Sequence, residues 1–144
     1  MRNIVKVAVI QSRPLKKLES NLKQIQQLLM EASRQQARLV VLPENFAYYG
    51  EPDLKTIGCQ EALSNGPVRQ FLSEQAKRLK LWIVGGTVPV GDDNSKPVAR
   101  SLVYDPGGHC VDLTIRSIYL MPMCIQNQAN RLIVNLTLTA TAVL

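Results

Sequence analysis

Short apolar strands that alternate with helix-like segments limit how this chain can fold more than any other feature. The run Ile4 to Ile10 is rich in valine and isoleucine and alternates in polarity, which predicts a buried strand. In Leu18 to Ala37 the apolar residues recur at helical spacing. The same criteria predict strands at Leu39 to Leu42 and Leu81 to Val84, with a helix from Pro67 to about Leu79 between them. This alternation predicts an α/β layered fold.

The part of the chain after the third predicted strand indicates a loop and then a hairpin. Val88 to Lys96 is polar and contains Gly, Pro and Asp, so we predict a loop there. Ser101 to Tyr104 and Cys110 to Leu113 flank Asp105-Pro106-Gly107-Gly108, which predicts a hairpin turn. No phosphate-loop pattern follows Gly85-Gly86, so we interpret these glycines as letting a strand end pass close to neighbouring backbone.

The composition excludes several classes of protein. Hydrophobic residues make up 46% of the chain and charged residues 19%, which is typical of a globular domain. No apolar run approaches the length of a spanning helix, and the start lacks the pattern of a signal peptide, so we expect a cytoplasmic protein without membrane contact. The net charge is +6, but no nucleic-acid motif accompanies it, and we predict no nucleic-acid partner.

The cysteines and the histidine give no sign of a metal or disulfide site. The three cysteines, Cys59, Cys110 and Cys124, are odd in number and widely spaced. We interpret Cys59 and Cys110 as buried or incidental thiols, and we predict no metal site. His109 is the only histidine, and its place in the hairpin turn predicts a surface position.

Glu44 is the residue that most suggests chemistry. It comes directly after the second predicted strand, and in α/β folds ligands bind at the carboxyl ends of strands. Its neighbours Asn45, Phe46, Tyr48 and Tyr49 give a partly apolar setting, and burial raises the pKa of a carboxyl group toward the range useful in general acid–base catalysis. The alternative is a capping or surface glutamate. The aromatic residues either line a pocket or simply pack.

A series of ordered motifs gives the chain a family resemblance. Leu39-Val40-Val41-Leu42-Pro43-Glu44-Asn45-Phe46 resembles the first catalytic signature of the nitrilase superfamily of carbon–nitrogen hydrolases. Five further segments resemble that family in the same order: Lys6-Val7-Ala8-Val9-Ile10-Gln11, Asn21-Leu22, Gly66-Pro67-Val68, Trp82-Ile83-Val84-Gly85-Gly86-Thr87 and Ser101-Leu102-Val103-Tyr104-Asp105-Pro106-Gly107-Gly108. The resemblance covers residues 1 to 111.

The resemblance implies a fold, a reaction and a set of site residues. The fold would be the N-terminal portion of a four-layer α-β-β-α sandwich, incomplete here, from a family that usually forms homodimers. The reaction would be amide hydrolysis by a Glu-Lys-Cys triad through a thioacyl enzyme, without a cofactor. Glu44 would be the catalytic base, and Asn45, Phe46, Tyr48 and Tyr49 would line the substrate pocket. The run Glu44 to Gly50 resembles members that act on short ω-amides, including deaminated glutathione.

The pattern breaks after the hairpin. The family expects Tyr-x-Lys-x-His-Leu-Phe-Asp, whereas this chain has Thr114-Ile115-Arg116-Ser117-Ile118-Tyr119-Leu120-Met121. When Ile118-Tyr119-Leu120 is aligned with Ile-His-Leu of the family, Ser117 stands at the lysine position, and a hydroxyl supplies no cation. Cys124 is followed by Ile125-Gln126-Asn127, which does not match the nucleophile motif of the family.

A change of reading frame would account for this break. One set of codons for Thr114 to Cys124, when read from the third base, encodes Asp-Lys-Ile-His-Leu-Phe-Asp. The segment Leu113 to Leu144 also has no Asp or Glu, and a solvent-facing segment normally mixes both signs of charge. We therefore divide the chain into residues 1–112, the N-terminal part of a hydrolase domain, and residues 113–144, an out-of-frame tail. The alternative for the tail is a diverged C-terminus.

These assignments lead to two expectations about the polypeptide itself. Without the lysine and the cysteine it would be an inactive, truncated hydrolase, or a pseudoenzyme that at most binds a partner subunit. An incomplete sheet would leave apolar surface and an open edge, which predicts marginal stability or aggregation. The uncharged, threonine-rich segment Leu132 to Leu144 adds to that hazard.

Overall fold

The secondary structure follows the predicted alternation. The computed structural model describes residues 4–49, 53–62, 66–91, 94, 96–116 and 131–139. The helices are α1 (Leu18–Arg34), α2 (Leu54–Ala62) and α3 (Pro67–Leu79). The strands are β1 (Ile4–Gln11), β2 (Leu39–Val41), β3 (Trp82–Val84), β4 (Val88–Val90), β5 (Val98–Tyr104), β6 (Cys110–Arg116) and β7 (Arg131–Thr139). The predicted α/β class is confirmed.

Within these ranges the strands form one seven-stranded sheet. At its centre β1, β2 and β3 run parallel, so that Val9 lies opposite Val41 and Val41 opposite Val84. On one side β5 is antiparallel to β3, β4 and β6. On the other side β7 is antiparallel to β1. The parallel centre therefore places the carboxyl ends of β1, β2 and β3 at the same edge of the sheet.

Helices α1 and α3 cover one face of the sheet and form the core with it. Each helix buries one stripe of residues because its apolar positions recur every three or four residues. The buried stripes are Asn21, Ile25, Leu29 and Ala32 in α1, and Val68, Leu72, Gln75 and Ala76 in α3. They pack on sheet residues such as Ala8, Val40 and Ile83, all 0% exposed. None of the helices within the described ranges is long and apolar enough to cross a membrane.

The opposite face of the sheet is apolar but lies outside this core. Side chains alternate between the two faces of a strand, so Val9, Val41 and Val84 point away from the helices. All three are half-buried, and Trp82, at the start of β3, is 40% exposed. Among the residues that the structure describes, α1 and α3 thus pack on the same side of the sheet and leave this face without a helical layer.

Two elements differ from the sequence-based expectation. Val88 to Val90 falls in the predicted loop but forms β4, which pairs with β5. Helix α2 was not expected, because its apolar positions form only a weak stripe. Gly58 explains part of this weakness: an added Cβ would lie 2.9 Å from the Cβ of Pro97, and the Gly58 carbonyl accepts a hydrogen bond from the Gly91 N–H at 3.1 Å. The helix therefore keeps a glycine so that neighbouring backbone can approach.

The predicted hairpin between β5 and β6 is confirmed. Its turn is organised by Asp105, whose Oδ1 accepts hydrogen bonds from the N–H groups of Gly107 and His109 at 2.8 and 2.9 Å. The hydrogen bond from the His109 N–H is the main cause that holds the pKa of the Asp105 carboxyl below its ordinary value. The turn rests on α3, where the Ser73 hydroxyl donates to the Gly108 carbonyl at 2.6 Å. His109 lies at the surface, as predicted.

Candidate active site

Glu44 lies at the carboxyl edge of the parallel centre of the sheet. The Leu42 N–H still donates to the Val84 carbonyl at 2.9 Å, so the pairing of β2 with β3 extends almost to Pro43. The chain then turns at Glu44 and Asn45. Glu44 therefore follows the carboxyl end of β2, the strand between β1 and β3, at the edge where ligands bind in α/β folds.

The surroundings of Glu44 differ from the predicted setting. Glu44 is exposed, so the expectation that apolar neighbours bury its carboxylate is wrong for this chain. Phe46 turns inward and is 1% exposed within the core under the helices. Tyr48 is half-buried and packs against the same core, whereas Tyr49 is 52% exposed. Of the four proposed pocket residues, Phe46 therefore packs in the core.

Asn45 gives the turn an unusual backbone conformation. Its φ is 52°, in the left-handed region that asparagine tolerates better than most residues. Its N–H donates to the Thr87 Oγ1 at 3.3 Å, and Thr87 is 7% exposed. Since Thr87 follows β3, this bond ties the turn after β2 to the end of the neighbouring strand.

Gly86 allows the two strand ends to come together. It has a φ of 54°, and a Cβ added there would lie 2.1 Å from the Pro43 carbonyl oxygen. A side chain is therefore excluded on two counts, conformation and space. This confirms the interpretation that Gly85-Gly86 lets a strand end approach neighbouring backbone.

Asn21 lies on the other side of the turn. It is on the buried stripe of α1 and is 1% exposed. Its Nδ2 donates to the carbonyl oxygens of Leu15 and Ala47, both at 2.8 Å. Its Oδ1 accepts from the Leu15 N–H at 2.5 Å. One amide group therefore links the connection that follows β1 to the segment that carries Glu44.

Glu61 is a second buried polar residue near this edge, and it caps helix α3. Its carboxylate accepts hydrogen bonds from the N–H groups of Val68 at 2.8 Å and Arg69 at 3.2 Å. These groups belong to the first turn of α3, where N–H groups have no partner within the helix. The N-cap residue Gly66 has no side chain to serve them, and an added Cβ would lie 2.4 Å from the Glu61 Oε2. Glu61 therefore replaces a local cap.

The Glu61 carboxylate also reaches a proposed pocket residue. The Tyr48 hydroxyl donates to its Oε1 at 3.4 Å. Burial is the main cause that raises the pKa of Glu61, and hydrogen bonds from Val68 and Arg69 partly oppose it. Burial, followed by the Glu61 charge, raises the pKa of Tyr48. Burial likewise raises the pKa of Tyr104, which hydrogen-bonds to Arg69. The sequence analysis named Tyr48 but did not predict its contact with Glu61, or the contacts of Glu61 and Tyr104 with Arg69.

Three residues that hold the site were given no role in it from the sequence: Asn21, Thr87 and Glu61. For Asn21 a signal existed, since a polar residue stands at a buried helical position four residues before Ile25. Thr87 and Glu61 gave none, because each contacts a partner that is distant in sequence or lies in another helix. Two other sequence predictions, Ser117 at the lysine position and Cys124 as a non-matching cysteine, lie outside the described residues.

One concave surface of the described residues lies away from Glu44. An open depression of about 730 Å³ lies at the amino ends of the parallel strands, lined in part by Lys6, Arg38 and Lys80. It does not include Glu44, and we place the candidate active site by the strand ends and the carboxylate. Within the described ranges, no group of three or more His, Cys, Asp or Glu residues is arranged to hold a metal ion.

A comparison with protein families decides the identity. The carbon-nitrogen hydrolase family model matches residues 6–130. The chain belongs to this family. The match includes the strand that leads to Glu44 and the ends of β1 and β3 beside it. The family resemblance inferred from the sequence motifs is therefore confirmed.

Individual members of the carbon-nitrogen hydrolase family are similar to this chain over part of their length. The omega-amidase NIT2 of Danio rerio is 36% identical over 116 residues, which is 80% of this chain and 40% of that protein. A nitrilase of Pyrococcus abyssi (strain GE5 / Orsay) is 33% identical over 93 residues, which is 62% of this chain and 36% of that protein. The chain thus spans less than half the length of either relative.

A solved structure supports the fold. The crystal structure of Saccharomyces cerevisiae Nit3, a member of branch 10 of the nitrilase superfamily, has a TM-score of 0.69 and 27% sequence identity. The alignment covers 78% of this chain and 44% of that chain. The sheet and helices described above therefore correspond to part of a nitrilase fold, as expected.

Proposed function

We propose that this chain is the N-terminal part of an amidase that hydrolyses short ω-amides, with Glu44 as its general base. The observation that carries the proposal is the placement of Glu44 at the carboxyl edge of β1, β2 and β3, in a turn whose backbone is tied to two neighbouring segments. The similarity to an omega-amidase supports the substrate class. We expect the protein to act in the cytoplasm.

Glu44 would supply one part of a three-residue reaction. As general base it would take the proton from a cysteine thiol, and the thiolate would attack the amide carbon so that ammonia leaves. Water would then hydrolyse the thioester. A lysine would stabilise the charge of the tetrahedral intermediate. Since residues 113–144 carry neither a matching lysine nor a matching cysteine motif, we propose that this polypeptide is inactive by itself.

The proposal can be tested with the chain and with a frame-restored version. In the latter, the reading frame is shifted after codon 112, so that it encodes Asp-Lys-Ile-His-Leu-Phe-Asp when Thr114 to Cys124 use the codons that recover the family motif, and the shifted frame is translated to its stop codon. Ammonia release from succinamic acid, a short ω-amide, should be absent for the present chain and present for the restored protein. In the restored protein, Glu44→Gln should lower the rate by about 10²- to 10⁴-fold.

A matched variant controls for the loss of a carboxylate elsewhere. Glu74 is exposed on α3 and its described hydrogen bond joins it to Gln70 of the same helix, so Glu74→Gln should leave the rate unchanged. Ammonia release that survives Glu44→Gln in the restored protein would remove the proposed role of Glu44. Release by the present chain would show that the proposed inactivity is wrong.

The alternative is a fragment or pseudoenzyme that binds a partner subunit. The apolar sheet face around Val9, Val41, Val84 and the 40% exposed Trp82 favours this possibility, because such surface is normally covered. The partner we propose is a complete subunit of the same family, since family members usually form homodimers. A stable complex with the frame-restored protein, measured by analytical ultracentrifugation, would support this alternative. Trp82→Lys should weaken that complex.

A further inference from the structure

The burial of Asn21 needs an explanation beyond the stability of its own helix. It lies in the second turn of α1, on the stripe that packs against the sheet, and is 1% exposed. A buried amide group is costly unless its hydrogen bonds are satisfied. A leucine at this position would fit the apolar stripe without that requirement. The amide therefore has to be understood from the groups that it binds.

Its hydrogen bonds divide into a nearby pair and a distant one. With Leu15 the side chain exchanges two bonds, to the carbonyl at 2.8 Å and from the N–H at 2.5 Å. These fix the connection between β1 and α1. The remaining bond, from Nδ2 to the Ala47 carbonyl at 2.8 Å, is buried and reaches the segment that follows β2. Both Nδ2 hydrogens are thereby used, so the two connections are held by one rigid group.

The segment from Pro43 to Ala47 is fixed at its other end as well. The Asn45 N–H donates to Thr87, and the Pro43 carbonyl packs against Gly86 so closely that a Cβ would lie 2.1 Å from it. Phe46 anchors the middle of the segment in the core. Glu44 is the member of the segment that is exposed to solvent.

We propose that Asn21 is a positioning residue for Glu44. By holding the Ala47 carbonyl, it sets the path of the turn and thus the direction in which the Glu44 carboxylate points. This inference rests on the proposed function, in which Glu44 must lie within about 2.6–3.2 Å of the proton that it takes. A misplacement of about 1 Å would be enough to lower the rate about 100-fold.

Amide hydrogen exchange on the full chain tests the inference without depending on activity. The probe is the Asn45 N–H, and the internal reference is the Leu42 N–H, which bonds to Val84 within the sheet. In Asn21→Leu we expect the protection of Asn45 to fall at least about ten-fold relative to Leu42. The control is Gln75→Leu, which removes a buried polar group of α3 whose described hydrogen bond comes from Arg78. Gln75→Leu should lower the exchange protection of both amides by the same factor or leave both unchanged.

A second variant covers the case in which Asn21→Leu does not fold. Asn21→Asp keeps the shape and the acceptor for the Leu15 N–H, but an ionised carboxylate has no hydrogen to donate to Ala47. Local protection of Asn45 should therefore be lost at pH values where the new aspartate is ionised and regained where it is protonated. If Asn21 only stabilised the fold, the exchange protection of the Asn45 and Leu42 amides would fall by the same factor.

The outcomes distinguish this inference from the proposed function. If both Asn21 variants change the exchange protection of the Asn45 N–H and the Leu42 N–H by the same factor, the positioning role is overturned, even if the ammonia assay supports Glu44 as the base. A local loss at Asn45 would support it whatever the assay shows for the present chain. In the frame-restored protein, Asn21→Asp should lower kcat more than it raises KM, because the substrate contacts remain.

Discussion

The two ends of the parallel strands are connected in different ways. At the amino ends, α1 and α3 lead into β2 and β3 through short turns of the same kind. Gln36 and Lys80 take left-handed φ values of 62° and 54°, and the next N–H bonds back to its own helix in each case. At the carboxyl ends, distant side chains such as Asn21 and Thr87 fix the turns. Local bonds therefore suffice where the chain only reverses, while the Glu44 segment depends on tertiary contacts.

We expect the largest loss of stability from a variant that breaks a contact at the carboxyl ends of the parallel strands. Gly86→Ala adds a Cβ 2.1 Å from the Pro43 carbonyl oxygen at a φ of 54°, so the two strand ends must separate. We expect the free energy of unfolding in urea to fall by about 3 kcal/mol. Gly107→Ala is the control, since in the exposed hairpin an added Cβ meets chiefly the His109 ring, which can move. An equal loss for both variants would contradict the comparison.

The next effect concerns the cap of α3. Glu61→Ala removes the acceptor for the Val68 and Arg69 N–H groups and leaves them buried. We expect a loss of about 2 kcal/mol in the free energy of unfolding. Glu74→Ala, on the exposed side of the same helix, should cost no more than about 0.5 kcal/mol. A small effect of Glu61→Ala would mean that water replaces the carboxylate at the helix start.

The pH dependence of stability tests the burial of the Glu61 carboxylate at the start of α3. Burial raises the pKa of Glu61 above its ordinary 4.5, so the folded protein binds this proton more readily than the unfolded chain. The contribution of Glu61 is therefore full below that value and is lost as the pH rises through the folded pKa. The unfolding free energy of the natural chain should therefore fall relative to that of Glu61→Gln as the pH rises above 4.5. A natural chain that gains stability relative to Glu61→Gln over that range would contradict the inferred shift.

The smallest effect is expected at an amino-end turn. Lys80→Gly places a glycine at a left-handed position that follows a helix, which should raise the free energy of unfolding by about 0.5 kcal/mol. Lys77→Gly, in the last turn of α3, should instead lower it by about 0.5–1 kcal/mol. Thermal unfolding of both variants provides the measurement. If Lys80→Gly destabilised the protein, the amino-end turn would depend on the Lys80 side chain, as the carboxyl-end turns depend on Asn21 and Thr87.

The sequence predicts the parts of the fold that depend on local pattern. The helix Pro67–Leu79 is reproduced at both ends, because a proline suits the first turn and the apolar spacing is regular. For α1 the predicted end, Ala37, lies beyond Arg34, since the left-handed Gln36 was not recognisable as a helix end without a glycine. Helix α2 contacts strand β4, and β4 pairs with β5, and local sequence pattern reveals neither of these tertiary contacts.

The candidate site was predictable in part for a similar reason. Glu44 follows a strongly apolar strand, so its position at a strand end follows from sequence alone. Its exposure does not follow, because neighbouring aromatic residues in the sequence point elsewhere: Phe46 enters the core and Tyr48 turns toward Glu61. The roles of residues 113–144 and of the proposed pocket stay predictions.

The pairing of β1 with β7 has a consequence for folding during synthesis. These strands lie nearly the whole length of the chain apart, yet they are hydrogen-bonded neighbours from Ile4 with Thr139 to Gln11 with Arg131. On the ribosome, β1 must therefore wait as an unpaired edge until residues 131–139 have been synthesised and released. Such an edge can pair with other nascent chains. Slow translation would lengthen this exposure, and a chaperone that shields the first strand would shorten it.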